Sequence, residues 1–287
     1  MRFPKLVDDP RAIAALDQPA RILIIGEQGL GDEIFFLRFA RRLRDRGHRL
    51  CGGFDERLLA LFAGIPGLFD ELTSVEKARA IEADATILSG DLPLATAQDF
   101  APPLALSADA ARLASFDARL REFGPPPYIG VTWRAGFLPS ERVPGTLYLA
   151  KEVKPEELGT LLRPLRATFV ILQRRPSPED EHRFVAALGR PALDLSAVND
   201  DLHDALAVLS ILDDYVAVSN TNTHLRAAVP GKTARVLVPP RPEWRWGLAT
   251  DLSPWFPEFR IYRESLQAGW APAFEALALD LARSTAA

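Results

Sequence analysis

Residues 21–43 constrain the fold more than any other stretch. The run Arg21-Ile-Leu-Ile-Ile-Gly26 is short and apolar, which suits a strand buried on both faces. It passes through Glu27-Gln28-Gly29-Leu30-Gly31-Asp32-Glu33 into a helix. The apolar positions of that helix, Ile34, Phe35, Phe36, Phe39, Ala40 and Leu43, recur at helical spacing. Strand, glycine turn and helix make half of a nucleotide-type βαβ unit. The turn does not fit G-x-G-x-x-G, the fingerprint of dinucleotide binders. It ends instead in a carboxylate, Asp32, in the first helical turn. An acid there points to chemistry on a sugar hydroxyl rather than to a bound dinucleotide.

The same alternation continues along the chain. Strands are predicted at 21–26, 49–54 and 85–89, then at 128–133, 168–173, 192–195, 215–219, 234–238 and 260–263. Helices are predicted at 31–46, 56–63 and 108–123, then at 155–166, 177–188, 201–212, 222–229 and 271–284. Short apolar strands between amphipathic helices mean parallel sheets covered on both faces. Gly124-Pro-Pro-Pro127 cannot continue the helix before it and stiffens the chain, so it marks a boundary. The expectation is an α/β protein of two Rossmann-like, doubly wound domains, 1–124 and 125–287, facing a cleft. Ligands of such sheets bind outside the carboxyl ends of the strands.

With 287 residues, about half of them apolar, the chain can fill two cores. A formal charge of −4 offers no basic footprint for nucleic acid. The single cysteine, Cys51, excludes an internal disulfide and a multi-cysteine metal site, which fits a reducing compartment. Residues 1–10 lack the apolar centre of a signal peptide, and no apolar run reaches the roughly 20 residues of a membrane span. The expected setting is soluble and cytoplasmic.

Five segments carry chemistry. At Gly29-Leu-Gly31-Asp32 the glycines let backbone N–H groups approach a ligand, and the helix N-terminus favours a charged Asp32 as proton acceptor. After the strand ending at Trp133, Arg134, Gly136, Arg142, Lys151 and Lys154 make a basic loop suited to a diphosphate. Gln173 ends the strand Phe169-Val-Ile-Leu, where its amide can read a nucleobase edge or hold the next loop. Asn220, Thr221, Asn222, Thr223 and His224 follow the strand Tyr215 to Ser219; they can cap the next helix and present N–H groups to phosphate. His224 can donate to a phosphate or sugar oxygen, or sit buried and satisfied in the core. Trp244 and Trp246 flank Arg245 and can wall a sugar or base, whereas Trp255-Phe256 fits a loop anchor.

In that order, Glu-Gln-Gly-Leu-Gly-Asp at 27–32, Gly130-Val-Thr-Trp133, Phe169 to Gln173, Ser219 to His224, Pro242-Glu-Trp-Arg-Trp246 and Ser253-Pro-Trp-Phe256 resemble a known group. It is the glycosyltransferase domain found behind tetratricopeptide repeats in many bacterial proteins. That domain is similar to the ADP-heptose:lipopolysaccharide heptosyltransferases and, more distantly, to O-linked N-acetylglucosamine transferases. The resemblance spans residues 20 to 285 or so. It implies a glycosyltransferase-B fold, with the nucleotide-sugar donor on the C-terminal domain and a glycan or protein acceptor on the N-terminal one. It also implies inverting chemistry without a metal or other cofactor. Asp32 matches the general base that follows Ser-x-Gly in heptosyltransferases. Asn220-Thr221 matches their Asp-Thr phosphate turn, and His224 the histidine that ends it. Arg134, Lys151, Gln173, Asn222 and His224 then join Asn220 and Thr221 on the donor, while Gly29 and Gly31 form the backbone cradle.

Three departures stand out. Ser219 or Asn220 replaces the acid of the phosphate turn, which removes a repulsion beside a diphosphate. The chain holds no tetratricopeptide repeats, so a separate repeat protein is an expected partner. The N-terminal half is short for such a fold. A catalytically silent nucleotide- or carbohydrate-binding module and a nucleotide-sugar epimerase are the alternatives to a transferase.

Overall fold

The computed structural model describes residues 3–135, 151–247 and 251–285. By contacts the chain divides into two units, Met1–Ser107 and Ala108–Ala287.

In the first unit the strands are β1 (Arg21–Ile25), β2 (Arg49–Phe54), β3 (Glu71–Ser74) and β4 (Ala85–Leu88). All pair in parallel, in the order β3-β2-β1-β4. The helices are α1 (Arg11–Ala14), α2 (Leu30–Phe36), α3 (Ala40–Asp45), α4 (Glu56–Ala63) and α5 (Leu92–Thr96). Ile22 to Ile25 are buried on both faces of the sheet, which is why the run reads as unbroken apolar sequence. The helix expected over 31–46 is interrupted by a 3₁₀ turn at Leu37–Phe39. β3 is an edge strand whose Glu71-Leu-Thr-Ser74 carries almost no apolar signal, so periodicity does not predict it.

The second unit has strands β5 (Tyr128–Thr132), β6 (Thr168–Ile171), β7 (Leu193–Asp194), β8 (Asp214–Val218), β9 (Ala234–Val238) and β10 (Phe259–Arg263). They form one parallel sheet in the order β10-β9-β8-β5-β6-β7. Its helices are α6 (Ala110–Phe123), α7 (Pro155–Leu162), α8 (Pro178–Leu188), α9 (Leu202–Ile211), α10 (Thr221–Ala227) and α11 (Ala271–Thr285). α7 stops two residues before Pro164, whose ring and missing N–H end a helix. α6 precedes the proline tract, and contacts gather it with the second unit: it packs on α9, and Arg112 bonds Asp201 at 2.8 Å and also Asp204.

Both sheets share one winding rule. Strands run outward in one direction from the first strand, then the chain returns to that strand and starts the other way. The reversal falls between β1 and β4 in the first unit and between β5 and β8 in the second. At such a switch point the loops leave in opposite directions and open a crevice at the strand ends. The turn before Asp32 leaves β1, Arg134 follows β5 and Asn220 follows β8, so all three lie at switch points. Among the described residues, no helix is long and apolar enough to cross a membrane.

Candidate functional site

In the first unit, Gly26 continues the sheet beyond β1 by donating to the Gly53 carbonyl at 2.8 Å. Glu27, Gln28 and Gly29 then form an exposed turn. Gly29 is the N-cap of α2, in extended backbone and without a side chain to cap with. Its carbonyl accepts the Asp32 N–H at 2.8 Å and the Glu33 N–H at 3.1 Å. Asp32 is half-buried in the first turn, and Gly31 lies beside it within α2.

Glu33, which sequence reasoning missed, is buried and only 3% exposed. Its carboxyl lies directly over Gly26: a Cβ added there would sit 2.5 Å from Glu33 Cδ. The Asp55 N–H donates to Glu33 Oε2 at 3.4 Å. Burial pushes the Glu33 carboxyl up to about 7, with the neighbouring Asp55 and Asp32 charges adding to it. Asp55 itself is held below the usual carboxylate range, chiefly by the Arg57 guanidinium, which donates to it at 2.7 and 2.9 Å. The visible clue is an acid at the head of an apolar helical stripe, seven residues after the glycine that closes the β1 run.

In the second unit, Gln173 is buried and occupied. Its Oε1 accepts the N–H groups of Trp133 at 3.1 Å and Arg134 at 2.8 Å, and its Nε2 donates to the Arg174 carbonyl at 3.0 Å. Of the two roles open to it, holding the next loop is the one these bonds perform. Arg134 is half-buried and donates to the Arg175 carbonyl at 3.3 Å. The chain comes back alongside: Ala135 N–H donates to Lys151 O, and Val153 N–H to Trp133 O, each at 2.9 Å. Gly136 and Arg142 lie outside the described residues. Lys154 is exposed and pairs with Glu157 at 3.1 Å.

Asn220 caps α10. Its Oδ1 accepts the Thr223 N–H at 3.2 Å, Thr223 completes a capping box, and Asn220 Nδ2 donates to Val218 O at 2.8 Å and to Tyr215 Oη at 3.2 Å. The Tyr215 hydroxyl also meets Thr132 Oγ1 at 2.8 Å, which ties β8 to β5 across the switch point. Burial raises that phenol to about 12, so it stays protonated. Thr221 is half-buried at the first helical position. Asn222 is buried and donates to Asn199 Oδ1 at 2.9 Å, a partner with no sequence signal.

His224 is buried too. Arg245, with no acceptor of its own, donates to His224 Nε2 at 3.2 Å, so that nitrogen is the acceptor. Phe256 packs edge-on to the imidazole at 5.5 Å. Two residues before Arg245, Glu243 accepts from Lys151 Nζ at 2.8 Å and from Ser219 Oγ at 3.3 Å. Burial is the largest single influence and opposes its ionisation, but the Lys151 ammonium, a backbone hydrogen bond and the Arg245 charge together hold Glu243 below the usual carboxylate range. The segment 243–245 therefore ties Lys151, Ser219 and His224 together. Trp246 is fully buried against Phe256, so only Trp244, 52% exposed, is available as a wall. Phe256 anchors its loop in the core as expected, and Ser253 fixes that loop to the Arg245 carbonyl at 2.8 Å. A cationic, amide-rich turn at a sheet's carboxyl edge can hold an anion.

No family model matches the chain. Among curated proteins it is 28% identical to "Protein FlbA" of Caulobacter vibrioides over 292 residues, covering 91% of this chain and 46% of that protein. The chain thus spans about half the length of the curated relative it matches. Three solved structures share its fold. A glycosyl transferase family 9 structure from Veillonella parvula matches with TM-score 0.65 and 11% identity, covering 95% of this chain and 99% of that one. The E. coli ADP-heptose lps heptosyltransferase II matches at 0.59 and 16%, covering 92% and 99%. The E. coli heptosyltransferase WaaC with ADP-2-deoxy-2-fluoro heptose matches at 0.52 and 14%, covering 92% and 99%. The chain has the α/β fold, with its parallel sheets, of these structures.

Proposed function

We propose that the protein is an inverting glycosyltransferase that needs no metal and moves a sugar from a nucleotide-sugar donor to a glycan or protein acceptor. One observation carries the reading: in each unit the chemistry-bearing turn lies at the switch point of a doubly wound parallel sheet. The fold likeness supports it, because one of the neighbours was solved with an ADP-sugar.

In this reading the donor diphosphate binds the second unit, at the N-terminus of α10. Arg245, Lys151 and Arg134 supply the positive charge that a departing diphosphate needs. Asn220 and Gln173 act by position: one shapes the α10 turn and the other holds the backbone of Arg134. The acceptor hydroxyl attacks the anomeric carbon, the bond from that carbon to the diphosphate oxygen breaks, and the hydroxyl proton passes to Asp32. The step requires Asp32 and the phosphate turn to reach one pair of substrates.

The test is release of nucleotide from a panel of nucleotide sugars, with cell extract as acceptor source. Wild type should turn over at least one donor, and Asp32→Asn should lower that rate by about 10²–10⁴-fold while still binding nucleotide. Full activity in Asp32→Asn would remove the base assignment. Binding without turnover of any donor would favour a silent module, a reading motivated by the use of Asn220 and Asn222 in protein hydrogen bonds. Free 2-epimerised sugar would identify an epimerase instead.

A further inference from the structure

The segment that ties Lys151, Ser219 and His224 together also carries an aromatic corner. A 3₁₀ turn over Trp244–Trp246 sends Trp246 into the core and leaves Trp244 at the surface, 52% exposed. Trp255, half-buried, stands against Trp244 with ring centroids 5.4 Å apart and planes at 89°. Two perpendicular plates offer a ligand ring a face to lie on and a wall beside it.

Ser253 builds the corner from both sides. Its buried hydroxyl donates to the Arg245 carbonyl at 2.8 Å and accepts the N–H groups of Trp255 at 3.1 Å and Phe256 at 3.2 Å. One oxygen thus fixes the backbone beside each ring, and Phe256 packs on Trp246 at 5.3 Å. A large aromatic surface held open to water forgoes the burial that stabilises most tryptophans, so a bound ring that covers it is favoured.

The neighbours of Trp244 say which ring that is. The Arg245 guanidinium lies 5.5 Å from the Trp244 centroid, and Glu243, the residue before, holds Lys151 at 2.8 Å. Both cations belong to the set assigned above to the donor diphosphate. The rings bonded directly to that diphosphate are sugars, whereas the nucleobase lies one ring further out. The π face of indole is electron-rich and attracts the C–H face of a sugar. A pyranose presents a wider and flatter C–H face than the puckered five-membered ribose.

We propose that Trp244 and Trp255 form the subsite for the transferred sugar of the nucleotide-sugar donor, with a pyranose ring on Trp244 and Trp255 as its side wall. The assignment presupposes the donor reading of the second unit and adds to it the group that the donor carries beyond its diphosphate.

The full chain is titrated by calorimetry with three pairs: ADP-glucose and ADP, GDP-mannose and GDP, UDP-N-acetylglucosamine and UDP. For the nucleotide sugar that binds wild type most tightly, Trp244→Ala should weaken binding about tenfold, while its bare diphosphate changes by less than about twofold. Trp244→Phe, which keeps an aromatic plate, should recover most of the loss. If Trp244→Ala no longer melts cooperatively, Trp244→Leu carries the test, because it stays apolar but has no π face. Equal weakening of sugar and bare diphosphate would overturn the assignment, since the ring would then serve the nucleoside or act through Arg245. Unchanged binding of both would overturn it as well. Binding of no nucleotide to wild type would remove the donor reading and this subsite together. Nucleotide release separates the remaining failures. Turnover whose KM is the same in Trp244→Ala removes the subsite alone, whereas a sugar-specific loss of binding without any turnover removes the transfer reaction alone.

Discussion

Glu33 is a carboxylic acid whose chemistry departs far from its solution behaviour. Its carboxyl takes its proton near 4.5 when solvated but at about 7 when folded, because burial disfavours the charge. Below 4.5 or so both states carry the proton, and its contribution to stability is complete. Between that pH and about 7 the unfolded chain has lost the proton and the native one retains it, so stability falls as pH rises. Above about 7 both states are ionised and the loss is complete. Glu33→Gln should flatten this slope and be more stable than wild type at pH 8 by on the order of 1–2 kcal/mol. Urea midpoints measured from pH 4 to pH 9 (~1-unit steps) check this; parallel profiles for the two proteins would show that the buried carboxyl does not titrate there. Arg245 poses a different question. It is buried, bonded to His224, and separated from solvent by Trp244 on one side. Arg245→Ala should weaken binding of ADP about tenfold to a hundredfold, as loss of one charge-assisted contact predicts. Unchanged affinity in a folded variant would move the diphosphate away from this arginine.

Among the elements, α7 and α8 show how a glycine sets a spacing. A Cβ on Gly159 would lie 2.5 Å from the Phe184 carbonyl oxygen and 3.0 Å from the Leu188 nitrogen, both backbone atoms that cannot rotate away. The two helices are in backbone contact there. Alanine is the better helix former by about 1 kcal/mol, but overpacking costs about 1–3 kcal/mol. Gly159→Ala should therefore destabilise the protein on balance, which a lowered urea midpoint would register; a midpoint at or above wild type would mean that the helices part freely.

In the molecule as a whole, two units each have their own sheet and core. A ligand that binds one native unit stabilises that unit by mass action, about 2.7 kcal/mol at a hundredfold excess over its Kd. ADP should therefore slow hydrogen exchange in β5, β8 and the start of α10. Protection confined to Met1–Ser107 would place the nucleotide on the wrong unit for the proposed reaction.

The parallel α/β class, the positions of β1, β5, β8 and β9, and the turns that carry Asp32 and Asn220 are written in local sequence. A strand buried on both faces must be apolar throughout, and a helix with one buried face must be periodic, so neighbouring residues report these elements directly. β3 escapes because an edge strand has one partner and little need of apolar side chains. Side-chain roles in the site follow a different logic. Gln173 meets Arg134 across 39 residues, Arg245 meets His224 across 21, and Asn222 meets Asn199 across 23. None of these pairings follows from spacing along the chain, because each exists only when the sheets bring distant strand ends to one edge. Residue types at the strand ends say where chemistry can happen; the packed sheets decide which of them hold the backbone and which still face a ligand.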